Sequence, residues 1–396
     1  MFPTDLMIVA GARTPMARYT GSFSEVSAID LGAHAGKAAV QKSGVDPGEF
    51  DHVVFGNVLQ TSADAIYGAR HVGLKAGLKI ETPAVTVNRL CGSGIEAIAQ
   101  AGHRLLLGEA TMVLAGGMEN MTQAPFVIRG ARTGLKLGGG ALEDFLFVGL
   151  TDSYCGMPMA MTAEKLAEQT GITRKDADAY ALRSQQLADA AFKAGYFKEE
   201  IVPVEVKQGK KLMLVSEDDH RRPETTMQIL EKLTPSFKKD GIVTAGNASG
   251  IVDGAAAVVV TREKTAKERG LKPVGRIVSW AVAGVDPTVM GIGPVPATRK
   301  ALQLAGIKLE QIDRVEVNEA FAAQYLAVEK ELGLNREKTN VNGGAIALGH
   351  PLGASGTRLV ITVLNELRRK GLRYGLATAC IGGGQGIAII LEALGN

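Results

Sequence analysis

Short runs of consecutive apolar residues alternate along this chain with stretches whose apolar residues recur every three or four positions. Val53-Val54-Phe55-Gly56, Val85-Thr86-Val87-Asn88 and Met112-Val113-Leu114-Ala115-Gly116-Gly117 are continuous and bounded by turn formers, as strands buried on both faces are. After Cys91 the apolar residues fall at Ile95, Ile98, Ala99, Leu105 and Leu106, and after His350 at Leu359, Val360, Val363, Leu364 and Leu367. Each set makes one face of a helix. The alternation predicts an α/β protein of layered sheets covered by helices.

The two ends of the chain share a pattern. Phe50–Asn57 parallels Gln311–Asn318, Val85–Asn88 parallels Thr339–Asn342, and Thr111–Gly117 parallels Leu376–Gly382. Order and spacing agree at an offset of roughly 255–265 residues, which predicts two copies of one α/β unit. The boundaries expected are 1–118 plus about 251–272 for the first half and about 273–396 for the second. Between them, about 119–250, lies a segment without repeat symmetry. It carries Met157-Pro158-Met159-Ala160-Met161, a long polar helix from about Thr173 to Gly195, and a mixed-charge stretch at 207–224. It reads as an inserted loop domain, and such long insertions are more often functional than spacers.

Three chemically active residues stand at glycine-rich junctions. Cys91 lies in Asn88-Arg89-Leu90-Cys91-Gly92-Ser93-Gly94, His350 in Gly349-His350-Pro351-Leu352-Gly353, and Cys380 before Ile381-Gly382-Gly383-Gly384. Glycine at a junction admits close backbone approach. Read alone, Cys91 is equally a nucleophile or a buried thiol. A helix N-terminus and a neighbouring imidazole are expected to lower its pKa. His350 alone reads as a structural imidazole, and beside Cys91 as its base. Cys380 could be a second thiol for acid/base work, with the Gly382 and Gly384 N–H groups as an oxyanion hole. A dinucleotide-binding loop at this place fails on length, because only fourteen residues follow Gly382. Asn318 ends a strand run and reads as a helix N-cap or as a residue that positions a water. Cys155 reads as structural. A zinc site from Cys91, His350 and Cys380 lacks paired spacing and a fourth ligand, so no metal is expected.

Composition narrows the classes. The 396 residues hold 46% hydrophobic and 21% charged residues, ordinary for a globular protein with a large core. A net charge of +3 gives no argument for nucleic acid. No apolar run approaches the roughly 18–20 residues of a membrane span. Met1–Val9 shows no secretory pattern, Ala393–Asn396 is not a peroxisomal tripeptide, and the three cysteines are widely spaced. A reducing cytoplasm is the expected setting, or a mitochondrion if the source is eukaryotic.

In combination and in order, these motifs resemble those of the thiolases, acyltransferases that cleave or form 3-ketoacyl-CoA. The resemblance runs from Val9-Ala10-Gly11-Ala12-Arg13-Thr14-Pro15 to Gly386 and includes Asn318-Glu319-Ala320-Phe321 and Cys380-Ile381-Gly382-Gly383-Gly384-Gln385-Gly386. It implies a thiolase fold, two α/β halves in five α-β-α-β-α layers with an inserted loop domain, and a homodimer or homotetramer. It implies that Cys91 carries the acyl group, that His350 takes its proton, and that Cys380 is the acid/base at the α-carbon. Asn318 would hold a water that with His350 binds the enolate, while the Cys91 and Gly382 N–H groups form the other oxyanion hole. CoA is then a substrate, not a permanent cofactor. Arg222 matches a residue that contacts the nucleotide phosphate, and Ser249 one that contacts the pantetheine. Met159 and Phe321 are expected at the substrate.

Acetoacetyl-specific thiolases usually carry a histidine in a Tyr-x-His-Met-Gly-type pattern where this chain reads Met157-Pro158-Met159-Ala160-Met161. The more apolar, adaptable segment resembles degradative 3-ketoacyl-CoA thiolases of the mitochondrial type. The alternative is an acetoacetyl-CoA thiolase working in the biosynthetic direction. A ketoacyl-carrier-protein synthase shares the fold, but Cys380 argues against it. A degenerate lipid-binding relative is argued against by the intact Cys91, His350 and Cys380.

Overall fold

The computed structural model describes residues 5–395. Residues 1–4 and Asn396, part of the stretches on which the absence of targeting signals was read, lie outside them. The first half contributes β1 (Leu6–Arg13), α1 (Ala28–Ser43), β2 (His52–Gly56), α2 (Gly68–Ala76), β3 (Ala84–Val87), α3 (Ser93–Leu106), β4 (Met112–Glu119) and, after a long excursion, β5 (Val252–Arg262). The excursion contains α4 (Met159–Thr170) and α5 (Arg174–Lys193). The second half contributes β6 (Gly275–Gly284), α6 (Pro294–Ala305), β7 (Arg314–Val317), α7 (Ala322–Leu332), α8 (Leu352–Lys370), β8 (Tyr374–Ile381) and β9 (Gln385–Ala393).

Hydrogen bonds join these strands in the order β3-β2-β4-β5-β1-β6-β9-β8-β7, with the two-residue strand Ala17–Arg18 paired to β5 as the tenth. In each half the outer pairs are parallel and the inner pairs antiparallel. The halves meet where Leu6–Ile8 of β1 pairs antiparallel with Gly275–Ile277 of β6. The repeat has one local departure. The counterpart of β3 in the second half is only a bridge, Val315 to Thr339. There Asn340, held at φ 48°, offers its side-chain amide to Val317, accepting from Val317 N–H and donating to Val317 O, both at 2.9 Å. A side chain replaces the strand edge.

Five layers result. Helices α3 and α8 form the middle one: Ile95, Ile98, Leu359 and Val363 pack against Val54, Val113 and Val258 on one side and Ala377, Ile387 and Ile389 on the other. Leu31, Ala35 and Val72 of α1 and α2 cover the outer face of the first half-sheet, and Val295, Ala301 and Tyr325 of α6 and α7 that of the second. Buried on both faces, the central strands are near-continuous apolar runs. The edge strand β3, expected to be buried likewise, is only half-buried at all four residues because a sheet edge has no neighbour on one side. The excursion's long helix α5 starts at a capping box, Thr173 with Asp176, and is followed by Gly195 in the left-handed conformation.

Glycines set how closely the two middle helices approach. A Cβ on Gly94 would lie 2.4 Å from Thr357 N and 3.0 Å from Gly356 Cα, and one on Gly356 would lie 2.5 Å from Ile95 N. These are backbone obstacles, so a methyl there forces α3 and α8 apart. We expect Gly94→Ala to destabilise the fold by about 1–3 kcal/mol and to lower kcat about 100-fold by displacing Cys91. Thermal unfolding and steady-state kinetics check both. An unchanged melting temperature and kcat would refute the close-approach account.

Candidate active site

The thiol, the imidazole and the second thiol arrive from different layers. Cys91 belongs to a single 3-10 turn, Leu90–Gly92, between β3 and α3. Leu90 has φ 46°, a conformation unusual for a non-glycine residue. The Asn88 side chain accepts from Leu90 N–H at 2.9 Å, and Ser93 Oγ accepts from Arg89 N–H and donates to Leu90 O. This local network fixes the turn and aims Cys91 away from the strand. His350 precedes α8, its N–H donating to Gly250 O at 2.9 Å. Cys380 is fully buried near the end of β8. Asn318 follows β7, tied by its N–H to Thr378 O of β8 at 2.9 Å.

Cys91 and His350 line one cavity of about 240 Å³, together with Met159 and Phe321. Phe147, Leu150, Phe237 and Met121 make the rest of that cavity strongly apolar. Cys380 packs behind this wall with Met159, Met290 and Phe321. A second cavity of about 550 Å³ is lined by three arginines, Arg18, Arg221 and Arg222, against two carboxylates, Asp219 and Glu224. Ala248, Ser249, Gly250 and Ile251 line both cavities, so a cationic vestibule and an apolar chamber share one wall. That wall is laced in place. Ser249 N–H donates to Ala320 O at 3.0 Å, Ala322 N–H donates to Asn247 O at 2.8 Å, and the His220 ring fills the space where a Cβ on Gly250 would lie.

The hydrogen bonds of His350 specify its tautomer. Ser355 Oγ donates to Pro351 O at 3.1 Å, leaving its oxygen to accept from His350 Nδ1–H at 2.5 Å. The Nε2 lone pair then faces Asn318 Nδ2 at 3.3 Å. Asn318 Oδ1 is buried with no partner, an orphan acceptor of the kind an ordered water satisfies.

Burial governs the protonation states. It pushes the Cys91 thiol up to about 11, with Glu119 adding to the rise, although hydrogen bonds from the Gly382 and Cys91 N–H groups oppose it. This corrects the expectation that a helix N-terminus and an imidazole would lower that pKa: desolvation outweighs the two donors. His350 is pushed down to about 3, by burial first and by Arg358 second, so it is neutral and contributes no cation to stabilise a thiolate. Cys380 is raised further, by burial and then by Cys91. The resting site therefore holds two thiols and a neutral imidazole.

Two residues escaped the sequence reading. Ser355, five positions after His350, has no motif to mark it. Glu119, at the end of β4, is fully buried and pushed up to about 7 by burial. Its carboxylate accepts from Val58, Leu59 and Gly353 N–H groups and from Asn57 Nδ2 at 2.9–3.2 Å, stitching the two halves together beneath Cys91. A lone Glu ending a strand run gives no such signal. Cys155 is half-buried and lines neither cavity.

Comparison with known proteins accords with this geometry. The thiolase N-terminal domain matches residues 6–264 and the thiolase C-terminal domain residues 271–393. The human mitochondrial 3-ketoacyl-CoA thiolase is 53% identical over 389 residues, covering 98% of each chain. Its crystal structure superposes with a TM-score of 0.97 over 98% of this chain and 99% of that one. An acetyl-CoA acetyltransferase of Pseudomonas aeruginosa is 49% identical, covering 98% of this chain and 99% of the other.

Proposed function

The chain belongs to the thiolase family, and from that premise we propose that it catalyses CoA-dependent thiolysis of 3-ketoacyl-CoA to acetyl-CoA and a shortened acyl-CoA. The observation that carries this reading is the shared wall between a cationic vestibule and an apolar chamber that ends at Cys91 and His350. A phosphorylated carrier with a long neutral arm and an acyl thioester at its tip has that sequence of chemistries. The human thiolase has also been solved in complex with CoA, with a TM-score of 0.96 to this chain.

In the proposed reaction Cys91 Sγ bonds to the 3-keto carbon while its proton passes to His350 Nε2. The bond between C2 and C3 breaks, and Cys380 protonates C2 as acetyl-CoA leaves. CoA then gives its thiol proton to the Cys380 thiolate and attacks the acyl-Cys91 carbonyl. Cys91 leaves and recovers its proton from His350. The Cys91 and Gly382 N–H groups, both directed at the Cys91 sulfur, suit the tetrahedral oxyanion. A water on Asn318 Oδ1 suits the enolate. Two acyl transfers through one thioester give ping-pong kinetics. Arg222 and Ser249 would hold the phosphate and pantetheine of CoA, and Met159 and Phe321 the acyl end. A homodimer or homotetramer fits the family. The human relative is a mitochondrial protein, which removes the preference for the cytoplasm.

The degradative reading is favoured over the acetoacetyl-specific one by the apolar chamber, where Met159, Leu150 and Phe147 offer surface to an alkyl chain. We expect kcat/KM for 3-ketohexanoyl-CoA to exceed that for acetoacetyl-CoA about tenfold, given about 0.8 kcal/mol per buried methylene. The same assay with 3-ketooctanoyl- and 3-ketohexadecanoyl-CoA sets the chain-length limit. Activity confined to acetoacetyl-CoA would overturn the broad-chain reading and leave the acetoacetyl-specific alternative standing.

A further inference from the structure

One side of the vestibule plays no part in the reaction described. The strand Ala17–Arg18 pairs with Val252–Asp253, and the residues from Arg18 onward run along the rim. Arg18 N–H donates to Asp219 Oδ1 at 2.5 Å, Tyr19 N–H to Ile251 O at 3.0 Å, and Thr20 N–H to Thr122 Oγ1 at 2.9 Å. Three successive amides are thus tied to three different segments. Thr20 is held at φ 54°, a left-handed conformation that a β-branched residue rarely adopts and that accompanies functional sites. A Cβ on Gly21 would lie 2.6 Å from Arg18 O and 2.9 Å from Arg18 Cγ, so glycine leaves room for the Arg18 stem.

The rigid, strained stretch presents two large side chains to solvent. Arg18 is exposed, Tyr19 is 43% exposed, and both line the vestibule. The neighbouring Arg221 is already engaged, paired with Asp189 and stacked 3.7 Å over Phe192. The Arg18 guanidinium makes no salt bridge among the described residues. It influences Asp219 only through space. A guanidinium without a salt bridge suits a phosphate, and a phenol ring carried on a tied backbone suits a purine face.

We propose that Arg18 and Tyr19 form a second wall of the CoA site, Tyr19 stacking on the adenine and Arg18 binding a phosphate of the same nucleotide. This rests on the reading of the chain as a CoA-dependent thiolase. Both side chains stand at the rim, away from Cys91, so binding and not chemistry depends on them.

The test measures thiolysis kinetics and calorimetric binding of CoA, 3′-dephospho-CoA and pantetheine by the full chain and its variants. Arg18→Ala should raise Kd and KM for CoA about tenfold with kcat unchanged, and Arg18→Lys should recover part of the loss. Tyr19→Ala should raise both about fivefold, and Tyr19→Phe should leave them unaltered. A loss confined to CoA assigns Arg18 to the 3′-phosphate, and one shared with dephospho-CoA assigns it to the pyrophosphate. Pantetheine should bind all forms alike. Unchanged CoA binding in Arg18→Ala and Tyr19→Ala, or an equal loss for pantetheine, overturns the clamp. If the unaltered protein itself neither binds CoA nor turns over, the thiolase reading fails instead.

Discussion

Cys91→Ala should lose thiolysis by about 10⁴-fold or more, the scale seen when a covalent nucleophile is removed, while CoA binding and the melting temperature stay near their original values. Alanine is the smaller residue and fits the 3-10 turn that the Asn88 and Ser93 side chains hold in place. The remaining groups cannot form an acyl-enzyme, so no substitute pathway of similar rate exists. The unaltered site carries a companion expectation about pH. With the thiol raised to about 11 and His350 lowered to about 3, both are neutral between those values. The thiolate fraction then grows about tenfold per pH unit below the thiol pKa. Alkylation of Cys91 by iodoacetamide should therefore climb steadily from pH 6 to pH 9. A plateau above an inflection near pH 6 or 7 would reveal a standing thiolate–imidazolium pair and contradict the neutral resting state.

Cys380→Ser separates the two halves of the chemistry. The residue is fully buried and packed by Met159, Met290 and Phe321, so the near-isosteric hydroxyl leaves the fold intact. A hydroxyl is a much weaker acid than a thiol, and its alkoxide is correspondingly hard to reach. Acylation of Cys91 by an acyl-CoA should persist, more slowly, because a CoA thiolate is weakly basic and can depart without the proton that Cys380 supplies; mass spectrometry would show one added acyl group. Overall turnover, which needs a proton moved at C2, should fall about 10²–10⁴-fold. Exchange of the α-protons of acetyl-CoA with solvent deuterium should fall in parallel. Normal turnover by the serine variant would remove Cys380 from the acid/base role. Loss of acylation together with turnover would make it a structural residue of the chamber.

The layered fold was legible because strands buried on both faces and helices with one apolar face leave different spacings, and because the chain states its unit twice. The departure at Asn340 was not legible. A side-chain amide that stands in for a strand edge looks in sequence like any asparagine after a short apolar run. Cys91, His350 and Cys380 were conspicuous by their glycines, yet the glycines serve a purpose that local reading missed. Gly94 and Gly356 bring two helices together across about 260 residues of chain, a contact no local pattern encodes. The protonation of Cys91 was misjudged for a related reason. The helix start is a local feature, whereas the burial that outweighs it comes from residues of the other half, such as Ile381 and Ile387 over Gly92. Arg18 and Tyr19 gained meaning only when the wall of the vestibule was assembled from three separate segments.

The middle layer has a consequence for how this protein fails. Cys91 and His350 stand at the N-terminal ends of α3 and α8, the two helices enclosed between the two half-sheets. Amides at the centre of such a layer exchange with solvent only when most of the molecule opens, whereas rim segments open alone. The reacting groups are thus fixed to the part of the structure that opens last, and the carrier-binding rim to a part that can open sooner. On warming, affinity for CoA should weaken before the thiol and imidazole lose their alignment. Irreversible inactivation should keep step with global unfolding.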